Sequence, residues 1–304
     1  MCGRFVSARK RLELLEEFAV ERDRVADDRN PDYNVAPTKR IYAVLDRAEK
    51  PADHEKAAHP EKPAHPKKTV DARTDAEKAA DAHGDGSRRE LRLVRWGLVP
   101  SWAKDAAGGA RMINARAETV AVKPAFRGAF ARRRCIIPAD GYYEWQAAVD
   151  KADKKAKQPF YIYRSDGGIL CFAGIYELWR DGSVPADHED AWLWTASIIT
   201  TEATDEIGAI HDRTPMVIPR KSWDDWLDPA NNDKELLLAT MLPATSSGAG
   251  GLASHPVSTA VNSVRNNGPD LIESLPAGSS GQPAGGGAGA REPSSGQADR
   301  SSLF

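Results

Sequence analysis

Cys135-Ile136-Ile137-Pro138-Ala139-Asp140-Gly141-Tyr142-Tyr143-Glu144-Trp145 is the stretch on which the fold turns. Residues 135–138 are a short apolar β run. It feeds into 139–145, dense in the aromatic side chains that suit a pleated surface. Residues 146–157 are polar and read as a hairpin tip. Similar β-branched and aromatic runs recur at 160–163, 169–176 and 192–200. Upstream, 41–45 and 91–96 have the same character, and a last strand is expected at 257–264. Helices are expected at 7–20, with Ser7 as N-cap and Leu12, Leu15 and Phe18 on the inner face, and at 124–133, 223–227 and 233–241. Strands dominate and do not alternate with helices in a βαβ rhythm. The expected fold is therefore α+β, one domain on mixed or antiparallel sheets with flanking helices.

That domain is expected to span 2–275, with two soluble additions. Residues 46–87 are mostly Ala, Lys, Asp, Glu, His and Pro, with hardly a large apolar side chain. Such a stretch cannot bury enough surface to offset its ordering entropy, so it is expected as a disordered insertion. Residues 276–304, rich in Gly, Ser, Pro and Ala, are expected as a flexible tail. His54, His59 and His65 lack carboxylate or cysteine partners at ligand spacing, so no metal and no cofactor is expected. Three cysteines, an odd count without a C-x-x-C pair, argue against a disulfide framework and for a reducing compartment. No apolar run precedes a cleavage site or reaches membrane-spanning length, so a soluble, cytoplasmic monomer is the expectation.

The net charge of −2 hides an asymmetry. Residues 88–134 hold 12 basic residues against Glu90, Asp105 and Glu118, which leaves +9 there and −11 elsewhere. The run is either a solvated basic face or a track for phosphates, with Trp96 and Trp102 interleaved as stacking surfaces.

The chain opens Met1-Cys2-Gly3-Arg4-Phe5. A small residue after the initiator predicts loss of Met1, which would leave Cys2 with an α-amine and a thiol two carbons apart. These groups titrate near roughly 8 and 8.5, so both are partly nucleophilic at neutral pH. Together they can trap an aldehyde, first as an imine and then as a thiazolidine; an incidental cysteine after the start is the plain alternative. Glu144 is either a surface glutamate at a strand end or, in the aromatic setting of Tyr142, Tyr143 and Trp145, an acid desolvated enough to hold a proton near pH 7. His211 beside Asp212 and Arg213 is either a satisfied structural histidine or a proton carrier. Asn114 is a turn asparagine or a group that holds an amine or oxygen in place. Arg116 shares its face if that segment is a strand, and could then ligate phosphate. No single residue decides.

In order, they do. Met1-Cys2-Gly3-Arg4-Phe5, Tyr33-Asn34-Val35-Ala36-Pro37-Thr38, Trp96-Gly97-Leu98-Val99-Pro100-Ser101-Trp102 and Ile113-Asn114-Ala115-Arg116-Ala117-Glu118-Thr119 are the first four blocks. The 139–145 block, His211-Asp212-Arg213-Thr214-Pro215-Met216 and His255-Pro256-Val257-Ser258 complete a series that resembles the SOS-response-associated peptidase (SRAP) family, whose members act on abasic sites in DNA. The resemblance spans about 2–272 apart from the insertions. It implies a single α+β domain that binds abasic single-stranded DNA and links Cys2 to the sugar. It further implies that Asn114 positions Cys2 and that Glu144 and His211 handle protons. Arg4 and Arg116 would hold phosphates, while Pro37 and Trp96 would pack on bases beside the lesion, with Asn34 in the same interface. Replication or repair factors are the further partners it suggests. A cysteine peptidase that exposes Cys2 by self-cleavage and a non-catalytic reader of modified DNA are the alternatives.

Overall fold

The computed structural model describes residues 2–48, 87–147, 157–185, 187–188, 191–203, 205–245 and 251–276. Its strands are β1 (Arg4–Ser7), β2 (Arg22–Asp23), β3 (Asp32–Val35), β4 (Arg40–Ala48), β5 (Ser87–Trp96), β6 (Asn114–Arg116) and β7 (Arg134–Ala139). They continue with β8 (Gly141–Ala147), β9 (Lys157–Arg164), β10 (Leu170–Arg180), β11 (Trp192–Glu202), β12 (Arg213–Val217), β13 (Leu242–Pro243) and β14 (Leu252–Pro256). The described residues make a five-stranded sheet, β14-β9-β8-β1-β3, and a nine-stranded one along β13-β12-β10-β7-β4-β5-β11-β6 with β2 beside β5. Because β10 also pairs with β11, strands β4, β5, β11, β10 and β7 close into a barrel. Most pairs are antiparallel, while β11 runs parallel to β5 and β6. The fold is the mixed α+β arrangement expected.

The stretch 135–145 joins the two sheets. Every residue of β7 is buried, which is why it reads as a continuous apolar run rather than an alternating one. At Asp140 the chain leaves the barrel; its carboxylate accepts from Ala8 N at 2.6 Å and from Arg9 Nε at 3.1 Å. It then enters β8, where a Cβ on Gly141 would lie 2.5 Å from the Tyr161 ring. Only glycine allows that approach.

Alternate residues of each barrel strand fill the interior, among them Ile41, Ala43, Val94, Ile137, Phe172 and Ile198. Phe5 closes one end, its ring edge-on to Trp96 at 5.1 Å and to Phe172 at 6.1 Å. A fully buried Phe contributes about 1.5–3 kcal/mol, and here it also anchors Cys2, which joins the same cluster. Outside the barrel, Leu14 and Phe18 pack against Trp223, whose ring stacks on Phe18 at 4.6 Å.

Several element expectations need correction. The first helix is Arg11–Glu17, and Ser7 ends β1 instead of capping it. Leu12 points outward while Leu14 is buried, because the shorter helix turns a different stripe inward. The helix expected at 124–133 is Arg127–Arg132. The final strand lies at Leu252–Pro256 and is followed by a 3₁₀ turn at Thr259–Asn262. β4 and β5 run to Ala48 and Ser87, so both edges of the expected insertion are ladder residues; His54, His59, His65 and the remainder of that insertion lie outside the described residues, as do 148–156 and the tail from 277. Since Ala48 directly faces Ser87, a two-residue Asn-Gly turn can replace 49–86. Differential scanning calorimetry of that deletion is expected to show a melting temperature within a few degrees of the parent. A drop of more than about 10 °C, roughly 2 kcal/mol or more for a domain of this size, would assign the segment a packing role.

Candidate functional site

Cys2 is fully buried just ahead of β1. Asn114, the first residue of β6, donates from Nδ2 to the Cys2 carbonyl oxygen at 2.8 Å. β6 is held by parallel pairing to β11, Asn114 against Ile198 and Arg116 against Thr200, which turns both side chains the same way. The Asn114 Oδ1 atom is buried and accepts no hydrogen bond among the described residues, an acceptor beside the N-terminal residue.

Glu144 follows Tyr143 on β8 and is almost fully buried. Burial raises its pKa to about 8, with the positive charge of the N-terminal amine opposing the shift. At pH 7 the carboxyl is therefore mostly protonated, as the aromatic setting in the sequence suggested. The same burial, reinforced by the Glu144 charge, pushes the Cys2 thiol well up from its ordinary value. His211 Nε2 lies 3.9 Å from Glu144 Oε2. Its Nδ1 faces two partners, the backbone N–H of Arg213 at 3.0 Å and Asp212 Oδ1 at 2.9 Å. It can accept from the first only when Nδ1 carries no proton and donate to the second only when it carries one. Burial and then the N-terminal charge lower the His211 pKa, and Asp212 is 88% exposed, so the neutral form with Nε2–H toward Glu144 prevails. The two groups, 3.9 Å apart, present two proton donors to the cleft side by side.

Arg116, Glu144, Trp145, Lys157, His211 and Arg213 line a cleft of about 800 Å³. Arg116 is exposed within it. Arg213 is spent on structure: Nη1 and Nη2 grip the two Glu118 oxygens at 2.9 and 3.1 Å, and Nη2 also donates to Thr200 O at 2.7 Å. Arg4 donates from Nη1 to Asn34 Oδ1 at 2.6 Å and to Val261 O at 2.9 Å, leaving Nη2 with one long 3.4 Å bond to Asn262 O. Its guanidinium lies 5.9 Å over the Trp145 ring, which fixes Trp145 at the rim.

Two expected interface residues are corrected. Asn34 is buried, and its Nδ2 donates to the carbonyls of Val261, Ser263 and Asn266 at 3.0–3.2 Å. It shapes the 261–266 segment and has no face to offer DNA. Trp96 is 0% exposed and donates from Nε1 to Ile113 O at 3.0 Å, so it braces the residue before Asn114 and presents no stacking surface. Trp102, 68% exposed, keeps that capacity. Pro37 is half-buried in a turn whose next residue, Thr38, has φ +73°, a left-handed conformation that is uncommon for threonine.

The +9 run is not one track. Arg89 pairs with Asp46 and Asp224, Arg92 with Glu90, and Arg133 with Glu177. Arg134 is buried, donating to the carbonyls of Trp226, Phe130, Ala131, Asp228 and Asn231, and burial lowers its pKa to about 10. Lys157 and Trp145 are cleft residues that the sequence reading left unassigned. Trp145 stood in the decisive stretch as part of the aromatic setting of Glu144; in the fold it is half-buried at the cleft, with Nε1 donating to Asn262 Oδ1 at 2.7 Å.

The family model for SOS response associated peptidase (SRAP) matches residues 1–264. The abasic site processing protein YoqW of Bacillus subtilis is 34% identical over 274 residues, covering 90% of this chain and 100% of its own. YedK of Escherichia coli, also an abasic site processing protein, is 30% identical over 283 residues, 90% of this chain and 99% of its own. HMCES of Gallus gallus is 32% identical over 220 residues, 65% of this chain and 61% of its own. A crystal structure of a Bacteroides thetaiotaomicron protein superposes with a TM-score of 0.63 at 21% identity, covering 90% of this chain and 100% of that one, a likeness of fold. With the match running from the N-terminal cysteine past the His211 block, the chain belongs to the SOS response associated peptidase family.

Proposed function

We propose that this protein binds abasic sites in single-stranded DNA and, once Met1 is removed, joins them covalently through the amine and thiol of Cys2. The observation that carries the proposal is the bond from Asn114 Nδ2 to the Cys2 carbonyl, which holds Cys2 within the electrostatic reach of the buried Glu144. The relatives named abasic site processing proteins supply the substrate.

The chemistry runs as follows. The opened abasic sugar presents an aldehyde at C1′, and His211 Nε2–H serves the ring oxygen during opening. The Cys2 amine adds to C1′, and Glu144 protonates the carbinolamine hydroxyl, which leaves as water to give an imine. The thiol then adds to the imine carbon, its proton passing to nitrogen, and the five-membered ring closes. One water is lost overall. Arg116 and the free side of Arg4 Nη2 hold flanking phosphates, and Pro37 and Trp145 pack where the missing base leaves a gap in the stack. Base stacking on an aromatic is worth about 1–3 kcal/mol, enough to hold a kinked single strand. Burial pushes the Cys2 thiol up from the ordinary value expected of a free cysteine, which disfavours a thiolate in a peptidase and in ring closure alike, so the two readings are separated by the amine, which only the ring chemistry uses.

Denaturing gel electrophoresis of the protein mixed with single-stranded DNA bearing one abasic site tests the proposal. A band that resists denaturant and an excess of cold abasic oligonucleotide is expected, and its absence would refute covalent capture. Arg116→Ala is expected to weaken binding to undamaged single strands and to flatten the plot of log affinity against log salt by about 0.7. An unaltered slope in anisotropy titrations would remove Arg116 from the phosphate contacts.

A further inference from the structure

A second basic cleft lies on the outer edge of β5. Arg24, Arg29, Arg40 and Arg92 line about 340 Å³ there, with Asp27 as the acidic member. Charge in this cleft is unbalanced. Glu90, almost fully buried beneath it, pairs with two of the lining residues, Arg24 at 3.7 Å and Arg92 at 2.7 Å. Asp23 and Asp28 are taken by Arg11, at 3.4 and 3.0 Å. Among the described residues, neither Arg29 nor Arg40 forms an ion pair. Arg29 donates to the Arg40 carbonyl and lies 5.9 Å over the Tyr42 ring, and Arg95 stands directly opposite Arg40 in the β4–β5 ladder. The cleft sits where β5 changes partners, pairing with β2 through Leu91 and with β11 from Arg95. The ladder's alternation turns the backbone of Leu93 into that gap.

We propose that this cleft is a second nucleic-acid subsite, taking a phosphodiester of the strand that leaves the cleft of Arg116, Glu144 and His211; it rests on the DNA reading given above. Guanidinium forks suit phosphate oxygens, and Arg40, the first residue of β4, lies three residues beyond Pro37 of the proposed DNA face. A carboxylate-rich peptide would find the same charge but would have no reason to span both clefts.

Fluorescence anisotropy with undamaged oligothymidylates tests this on the full chain. One oligomer is short enough to fill only the cleft of Arg116, Glu144 and His211, and the other is long enough to cross both. For Arg29→Gln/Arg40→Gln, affinity for the long oligomer is expected to fall about tenfold, and its salt slope to flatten by about 1.4 for two phosphate contacts. The short oligomer should bind as before. Arg29→Lys/Arg40→Lys should restore the slope, which separates charge from any damage to the fold. Equal slopes for wild type and the Gln variant would overturn the proposal. So would unchanged DNA binding combined with loss of polyglutamate binding or of thermal stabilisation by inorganic phosphate. Because the DNA is undamaged, failure of the protein to trap an abasic site would refute the covalent chemistry and leave this comparison readable.

Discussion

Fusing a few residues ahead of Cys2, with no protease to remove them, abolishes the denaturant-resistant adduct although the thiol is intact. An amide nitrogen has its lone pair tied up in resonance, so it cannot condense with an aldehyde, and the ring has no imine carbon to close on. The expected yield falls to background on the gel, with the extension verified by intact mass and the fold by its melting curve. Cys2→Ala should fail differently: its amine still forms an imine that borohydride traps, but no sulfur closes the ring. A peptidase-like cysteine would keep its thiol chemistry in the extended protein. Wild-type crosslinking by the extended form would sink the ring mechanism.

Glu144→Gln is the second large change. Removing a general acid typically costs 10²–10⁴-fold in rate, and the adduct should form that much more slowly at pH 7. Wild type should lose rate as the pH rises past about 8, where the carboxyl gives up its proton, whereas the glutamine variant should be flat there. Stability carries the same signature with a definite sign. Glu144 is raised from 4.5 to about 8 in the folded protein, so folding takes up a proton between those values. Its contribution is fully present below about 4.5 and is lost as the pH climbs through about 8, by up to about 5 kcal/mol at 1.36 kcal/mol per pH unit. Glutamine has no proton to lose. Its melting temperature should exceed that of wild type at pH 9 and not at pH 4; a difference independent of pH would contradict the buried neutral acid.

The main strands were legible because their apolar and aromatic runs are long. β10 and β11 extend past the expected ends through Glu177, Arg180 and Glu202, residues that pair in ladders without the apolar signature. β6 and β12 are short and carry polar or proline residues, so periodicity alone could not mark them. Cys2, Asn114, Glu144 and His211 could be named from residue chemistry and order, but their convergence depends on β1, β6 and β8 meeting at one end of the barrel. Trp96 misled because an aromatic beside arginines looks the same in sequence whether it faces DNA or the core. Asn34 misled for a related reason: a buried amide that satisfies three carbonyls has no linear signature.

The complete burial of Cys2 also sets a clock. A residue enclosed by Phe5, Trp96 and Tyr142 and held through its carbonyl cannot extend into the active site of an aminopeptidase, so on the proposed chemistry Met1 must leave before β1 docks. One partner of β1, β3, follows within 30 residues, but the other comes late in synthesis: Tyr142, which faces Phe5 from β8, emerges 137 residues after it. At about 5–20 residues per second that delay is roughly 7–30 seconds. During this interval the N-terminus is an open strand end on the ribosome, and the reagent is made there. Activity in a preparation is then a record of the order of events at its birth, and the fraction of chains lacking Met1 by mass sets the ceiling on the fraction that can ever crosslink.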